Sequence, residues 1–169
     1  MKLDARNTLL VITAVLLFFA VYFTTQEYLL EHQEVDGFKL SPSRNFTPQL
    51  KEIFNRSQYL VLKQELYTQN DSRNTAIAAA SAELVYAAFN LNKQIYNYGV
   101  IDNKPLNQSD CTFDNRFCGQ PDIIMKIDDK CNCFTVQNGV LTISGDSKFL
   151  FEHAVTMRKL ANAALSKIQ

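Results

Sequence analysis

The chain predicts an α/β fold, with an N-terminal single transmembrane helix followed by a small mixed-sheet α/β domain that holds a βαβ crossover, a β-hairpin and a C-terminal helix. Three observations predict it. An unbroken apolar run opens the chain, an alanine-rich amphipathic segment separates two strand-like runs, and an Asn-Gly pair divides two alternating segments near the C-terminus. The 169 residues carry 17 Lys+Arg against 17 Asp+Glu, 47% hydrophobic residues, five Gly and four Pro. That composition is globular rather than disordered. It leaves no basic excess for phosphate neutralisation, so no nucleic-acid partner is expected.

The first element is the uncharged run TLLVITAVLLFFAVYF from Thr8 to Phe23, extended by Thr24 and Thr25. It approaches the ~20 apolar residues a helix needs to cross hydrocarbon. It is apolar all round, unlike a core helix of a small domain. Lys2 and Arg6 precede it, whereas Glu27, Glu31, Glu34 and Asp36 follow with only Lys39 opposing. The charge asymmetry places the N-terminus in the cytoplasm and the remainder outside, in a cell membrane crossed once. The competing reading, a cleaved signal peptide, is disfavoured because no small-x-small cleavage site follows the apolar core. A pilin-type processing site before the helix lacks the usual glycine and glutamate. The expected organisation is therefore a cytoplasmic N-terminus over 1–7, a signal-anchor helix in membrane lipid over 8–30, a linker over 31–46 and an extracytoplasmic α/β domain over 47–169.

The linker reading rests on mixed charges with Gly37 and Pro42 and no sustained period. Thr47-Pro48 reads as an N-cap and first helical residue, with Leu50, Ile53 and Phe54 as the apolar stripe. Tyr59-Leu60-Val61-Leu62 fits a buried strand, the alternative being that the helix continues to Tyr67. From Arg73 to Asn92, Ile77, Ala80, Leu84, Ala88 and Leu91 share a helical face whose alanines permit close approach to a sheet. The alternating run from Gln94 to Ile101 is a strand, so strand, helix and strand together have the length of a βαβ crossover.

A polar loop over 102–121 follows, then a strand from Asp122 to Ile127. Cys133–Val136 and Val140–Ile143 flank Asn138-Gly139, the hairpin signal. Asp146 can cap a final helix whose buried face is Leu150, Ala154, Met157, Leu160, Ala161, Ala164 and Ile168.

No dinucleotide, P-loop, zinc-protease or hydrolase signature occurs, so no catalytic residue, cofactor or metal is expected. His32 and His153 have no sequence partners. Asp110, Asp114, Asp128 and Asp129 match no calcium loop, and turn chemistry accounts for Asp128-Asp129. Asn70, Asp71, Arg73 and Asn74 are the candidate ligand-binding residues. They lie where a parallel strand ends and a helix begins, the place where open α/β sheets bind ligands, although caps need the same residue types. The site is expected where they meet the loop after Ile101 and the region of Asp146.

Asn45, Asn55, Asn70 and Asn107 each begin an N-x-Ser/Thr sequon, consistent with an external glycoprotein. Cys111, Cys118, Cys131 and Cys133 form an even set, read as two disulfides. An extended Cys131-Asn132-Cys133 holds its alpha carbons about 6 to 7 Å apart, at or beyond the limit for an unstrained bridge. Cys111 and Cys118 are therefore expected to bridge each to one of Cys131 and Cys133, the alternative being a local Cys111–Cys118 bond. A four-cysteine zinc site lacks its usual C-x-x-C knuckles. The function expected is a membrane-anchored extracytoplasmic binding or structural module of the cell envelope. Its partner is an envelope protein or a small ligand. The alternative is an anchored thiol-disulfide oxidoreductase using Cys131 and Cys133.

Overall fold

A computed structural model describes residues 5–31, 34–35, 37–40, 46–69, 71–107, 116, 119–156 and 158–159. The first helix, α1 (Ala5–Glu31), contains the opening apolar run. Side chains are described over 10–25, a rise of about 24 Å against the ~30 Å of a hydrocarbon core. Among the described residues no helix is long and apolar enough to cross a membrane.

The remaining elements are β1 (Glu34–Val35), β2 (Phe38–Leu40), α2 (Phe46–Asn55), β3 (Tyr59–Glu65), α3 (Asp71–Asn90), β4 (Gln94–Ile101), β5 (Lys104–Pro105), β6 (Ile123–Ile127), β7 (Cys133–Gln137), β8 (Val140–Gly145) and α4 (Ser147–Glu152). They build an eight-stranded mixed sheet in the order β1-β2-β7-β8-β6-β3-β4-β5. The four strands β4, β3, β6 and β8 run parallel, β7 is antiparallel to β8, and β2 is parallel to β7. The crossover is β3-α3-β4, with Tyr59 beside Gln94 and Glu65 beside Val100.

Alternation along each strand separates two faces. Leu60 and Leu62 of β3, Ile123, Met125 and Ile127 of β6, Leu141 and Ile143 of β8, and Phe134 and Val136 of β7 point to one side. There α2 contributes Leu50, Ile53 and Phe54, α3 contributes Ala76, Ile77, Ala80, Leu84 and Ala87, and α4 contributes Leu150. The alanines bring α3 close to the sheet, and Ala80 and Ala88 are fully buried. The opposite face has a smaller cluster of Val61, Tyr98 and Val100 with Tyr59 packed against it.

Two stretches differ from the sequence expectation. The linker over 31–46 contains β1 and β2, and Phe38 is fully buried, its ring 4.4 Å from Phe134 and 4.7 Å from Phe149. A three-residue strand has too few positions to display an alternation, which is why composition alone read as linker. The polar loop after Ile101 begins as a hairpin. Asp102 (φ 52°) and Asn103 (φ 61°) make the two left-handed residues of a tight turn into β5. Asn138 (φ 52°) and Gly139 (φ 72°) form the same kind of turn between β7 and β8, as their sequence predicts. Asp146 caps α4 by accepting from Phe149 N at 2.8 Å. Of the expected buried face of that last helix, Leu150 and Ala154 are buried, and Met157, Leu160, Ala161, Ala164 and Ile168 lie outside the described residues.

Candidate functional site

Because β3, β4, β6 and β8 are parallel, Glu65, Ile101, Ile127 and Gly145 end at one edge of the sheet. Past Glu65 the chain holds its register for one more residue, Leu66 N donating to Val100 O at 2.8 Å. Gly99 makes room for this exit, since a Cβ there would fall 2.6 Å from Leu66 Cδ1 and 2.8 Å from Leu106 Cδ1. The chain then turns through Tyr67 and Thr68 into α3. A cavity of about 270 Å³ opens between this exit and the β4–β5 turn, lined by Glu65, Tyr67, Thr68, Val100, Asp102 and Asn103. A second cavity of about 190 Å³ shares Val100 and Asn103 with it and continues over the open face past Lys63, Tyr98, Pro121 and Ile124. Through these shared residues the two adjoin as a groove of mixed polar and apolar lining.

Three ionisable side chains face this groove from neighbouring register positions. Lys63 Nζ donates to Glu65 Oε1 at 3.1 Å, with the lysine 19% and the glutamate 36% exposed. Tyr98 lies beside Lys63 across the β3–β4 pair. Burial, and secondarily the charge of Glu65, push its phenol up to about 12. Tyr98 therefore stays a neutral hydroxyl at any physiological pH. The groove offers an ammonium, a carboxylate and a hydroxyl, with Asp102 and Asn103 at the rim. Such a set can both donate and accept hydrogen bonds.

The predicted site residues divide. Asn74 clamps the turn, its Oδ1 accepting from Tyr67 N at 2.9 Å and its Nδ2 donating to Tyr67 O at 2.9 Å. Arg73 pairs with Asp129 at 3.3 Å and lies 5.0 Å over the Tyr67 ring. Both side chains thus shape the groove wall from behind and do not line it. Asp71 begins α3, and Asn70 lies outside the described residues. The loop after Ile101 does reach the groove, through Asp102 and Asn103. Asp146 is committed to its helix cap, and its own N donates to Asn132 Oδ1 at 3.2 Å.

At the opposite edge stands a cluster the sequence reading did not single out. Asp122 is fully buried directly before β6. Its Oδ1 accepts from Arg56 at 3.2 Å, and its Oδ2 accepts from Arg116 at 2.9 Å and from Val61 N at 2.9 Å. Arg56 also donates to Gly139 O at 3.0 Å, and Arg116 lies 4.6 Å over the Tyr59 ring. One carboxylate thereby ties α2, β3, the β7–β8 turn and the loop before β6. The only sequence signal was an acid opening an otherwise apolar strand, and its arginine partners are 66 and 6 residues away.

The cysteines correct an expectation. Cys131 pairs with Cys133, their alpha carbons 5.4 Å apart, instead of each bridging to the loop. The chain turns through Asp128 and Lys130, with Cys131 N donating to Asp128 O at 3.3 Å, and β7 begins only at Cys133. The segment is contracted rather than extended, which brings the pair inside the usual disulfide range. Cys111 and Cys118 lie outside the described residues, as do His32, Asn45, Asp110 and Asp114. His153 stacks on Phe149 at 4.1 Å. Asp128 accepts from Lys130 N at 3.0 Å, the turn contact expected of it. Among the described residues no group of His, Cys, Asp and Glu could hold a metal ion. Asn55 and Asn107 are exposed. The chain matches no family model, no curated protein and no solved structure.

Proposed function

We propose that the chain is an anchored binding module of the cell envelope, with α1 in lipid and the α/β domain outside, its carboxyl-edge groove receiving a small polar ligand or a polar loop of an envelope protein. One observation carries the anchor. From Leu10 to Phe23 the large apolar side chains of α1 are 47% to 68% exposed. That amounts to an apolar surface on the order of 1,000 Å², well beyond the few hundred Å² a soluble monomer tolerates. Lipid is the cover that suits a helix apolar on all sides, with the residues beyond 10–25 completing the span. The acidic cluster after the helix favours an outside domain.

The test is alkaline extraction of membranes from cells making the full chain with a C-terminal tag, followed by protease treatment of intact cells or spheroplasts. The module stays in the membrane pellet and loses its tag to the protease. A chain released at high pH, or a tag shielded until detergent is added, overturns the reading. The Cys131–Cys133 pair favours a second reading, thiol-disulfide exchange. Against it, Cys133 is buried at a strand start rather than placed at a helix N-terminus, where a thiolate is stabilised. A pair that resists mild reductant in the native protein leaves the binding module alone.

A further inference from the structure

Asn132 stands between the two bonded cysteines and holds two other parts of the chain. Its backbone O accepts from Lys39 N of β2 at 2.7 Å, and its Oδ1 accepts from Asp146 N, directly before α4, at 3.2 Å. β2 is three residues long and pairs with β7 at Lys39–Cys133 and Leu40–Phe134, a ladder short enough that each bond counts. The fit around Asn132 is close, since a Cβ on Gly145 would fall 3.0 Å from its Oδ1. A small turn of Asn132 therefore loosens both contacts. The disulfide fixes its place. Residues two apart in an extended strand have alpha carbons about 6 to 7 Å apart, and the bond keeps those of Cys131 and Cys133 at 5.4 Å. With the bond open, the segment is free to lengthen along the direction of β7, which begins at Cys133, and the Asn132 peptide turns with it.

We propose that the Cys131–Cys133 bond is a redox-operated clasp, which as a disulfide holds β2 and the start of α4 on the sheet and which a dithiol opens to loosen both. Cys131 is the less buried of the pair. A thiolate of the dithiol attacks Cys131 Sγ and expels Cys133 as a thiolate, which takes up a proton. The second thiolate of the dithiol then closes the reagent's own disulfide and expels Cys131, protonated in turn. Two electrons and two protons pass to the chain, and the dithiol leaves as a disulfide. Because β1 pairs with β2 through Val35 and Phe38, it moves with β2. Both strands lie between α1 and α2, so opening the clasp lengthens the tether between those helices. On the reading of α1 as an anchor, the domain then stands further from the lipid. The clasp itself acts whether or not α1 lies in lipid.

The test uses the full chain in detergent micelles, with amide hydrogen exchange read residue by residue. Excess dithiothreitol speeds exchange at Lys39 and Asp146 by about tenfold or more, as expected of a local opening. It leaves unchanged the rate at Leu106, whose N–H is bonded to Gly99 O beyond the far edge strand β5, and it leaves the mixed α/β circular dichroism spectrum intact. Reoxidation restores the slow rates. The double variant Cys131→Ser with Cys133→Ser exchanges at the fast rates with or without the dithiol. A bond that stays closed in the folded chain overturns the proposal, as does a Lys39 rate that reduction leaves unchanged. Equal acceleration at Leu106, or the spectrum of an unfolded chain, would mean that the bond holds the whole fold and not this corner. A dithiol effect that persists in the double variant would place it at other cysteines and sink the clasp.

Discussion

Asp122 joins three parts of the chain through Arg56, Arg116 and Val61 N. A buried carboxylate shared by two guanidiniums and a backbone N–H is favourable only as a set, because each cation removed from water needs its partner. Asp122→Ala leaves Arg116 partly buried without its carboxylate and Val61 N without an acceptor. We expect a loss of about 3–5 kcal/mol in urea unfolding, the range for breaking a buried pair. Arg56→Ala costs about 1–2 kcal/mol, since Arg56 is 40% exposed and Arg116 still holds the carboxylate. Equal losses from the two variants would contradict this hierarchy. Tyr98 predicts a pH dependence at the alkaline end. Its folded pKa, about 12, lies above the ordinary value of 10, so the unfolded chain gives up this proton first. The stability Tyr98 contributes is fully present below pH 10 and is lost as pH rises toward 12. Tyr98→Phe removes that part of the alkaline decline. Glu65→Gln lowers the folded pKa of Tyr98 and so shrinks this decline, but only in part, because burial is the larger cause and the carboxylate the smaller. Phenolate absorbance against pH reads both effects.

Among the elements, the β7–β8 hairpin is set most locally. Gly139 takes a positive φ, and a Cβ there would meet Arg56 Nη2. Gly139→Ala therefore both strains the turn and displaces the arginine from Asp122. A cost of about 2–3 kcal/mol is expected, above the 1–2 kcal/mol of left-handed strain alone. Combining it with Arg56→Ala should give less than the sum of the two losses, which a double-mutant cycle measures. This hairpin, the crossover and the Asp146 cap were legible in the sequence because each is a local rule: Asn-Gly at a fixed offset, apolar residues at helical spacing on α3, an acid before a helix. What stayed illegible depends on distant chain. Phe38 reads as one aromatic in a linker until Phe134 and Phe149 close around it. Asp122 reads as an exposed strand start until Arg56 arrives. Asn74 and Arg73 have the composition of a ligand site at the right place, yet Tyr67 and Asp129 use their hydrogen bonds first. The groove was legible as an edge of the sheet and not as a set of residues, because Lys63, Glu65 and Tyr98 become neighbours only through the β3–β4 register.

For the molecule as a whole, the sheet runs without a break from β1 to β5, so the folded unit includes β2 and does not begin at α2. Lys39 N donates to Asn132 O at 2.7 Å, and Lys39 and Leu40 pair with Cys133 and Phe134. Phe38 fills the space between Phe134 and Phe149 with no exposed surface. A fragment starting at residue 33 keeps this strand, loses α1, and should unfold cooperatively with a mixed α/β circular dichroism spectrum. A fragment starting at residue 47 keeps every longer strand and helix of the domain but loses Phe38 together with its strand pairing. Deleting a buried phenylalanine ring costs about 3–5 kcal/mol, a large share of the 5–15 kcal/mol that stabilises a domain of this size. The shorter fragment should therefore melt at least 10 °C lower, or lose its cooperative transition. Phe38→Ala in the longer fragment separates the ring from the strand, and it should account for most of the difference. Equal melting of the two fragments would mean that the segment after α1 is a tether after all and that β2 only lies against a domain already complete without it.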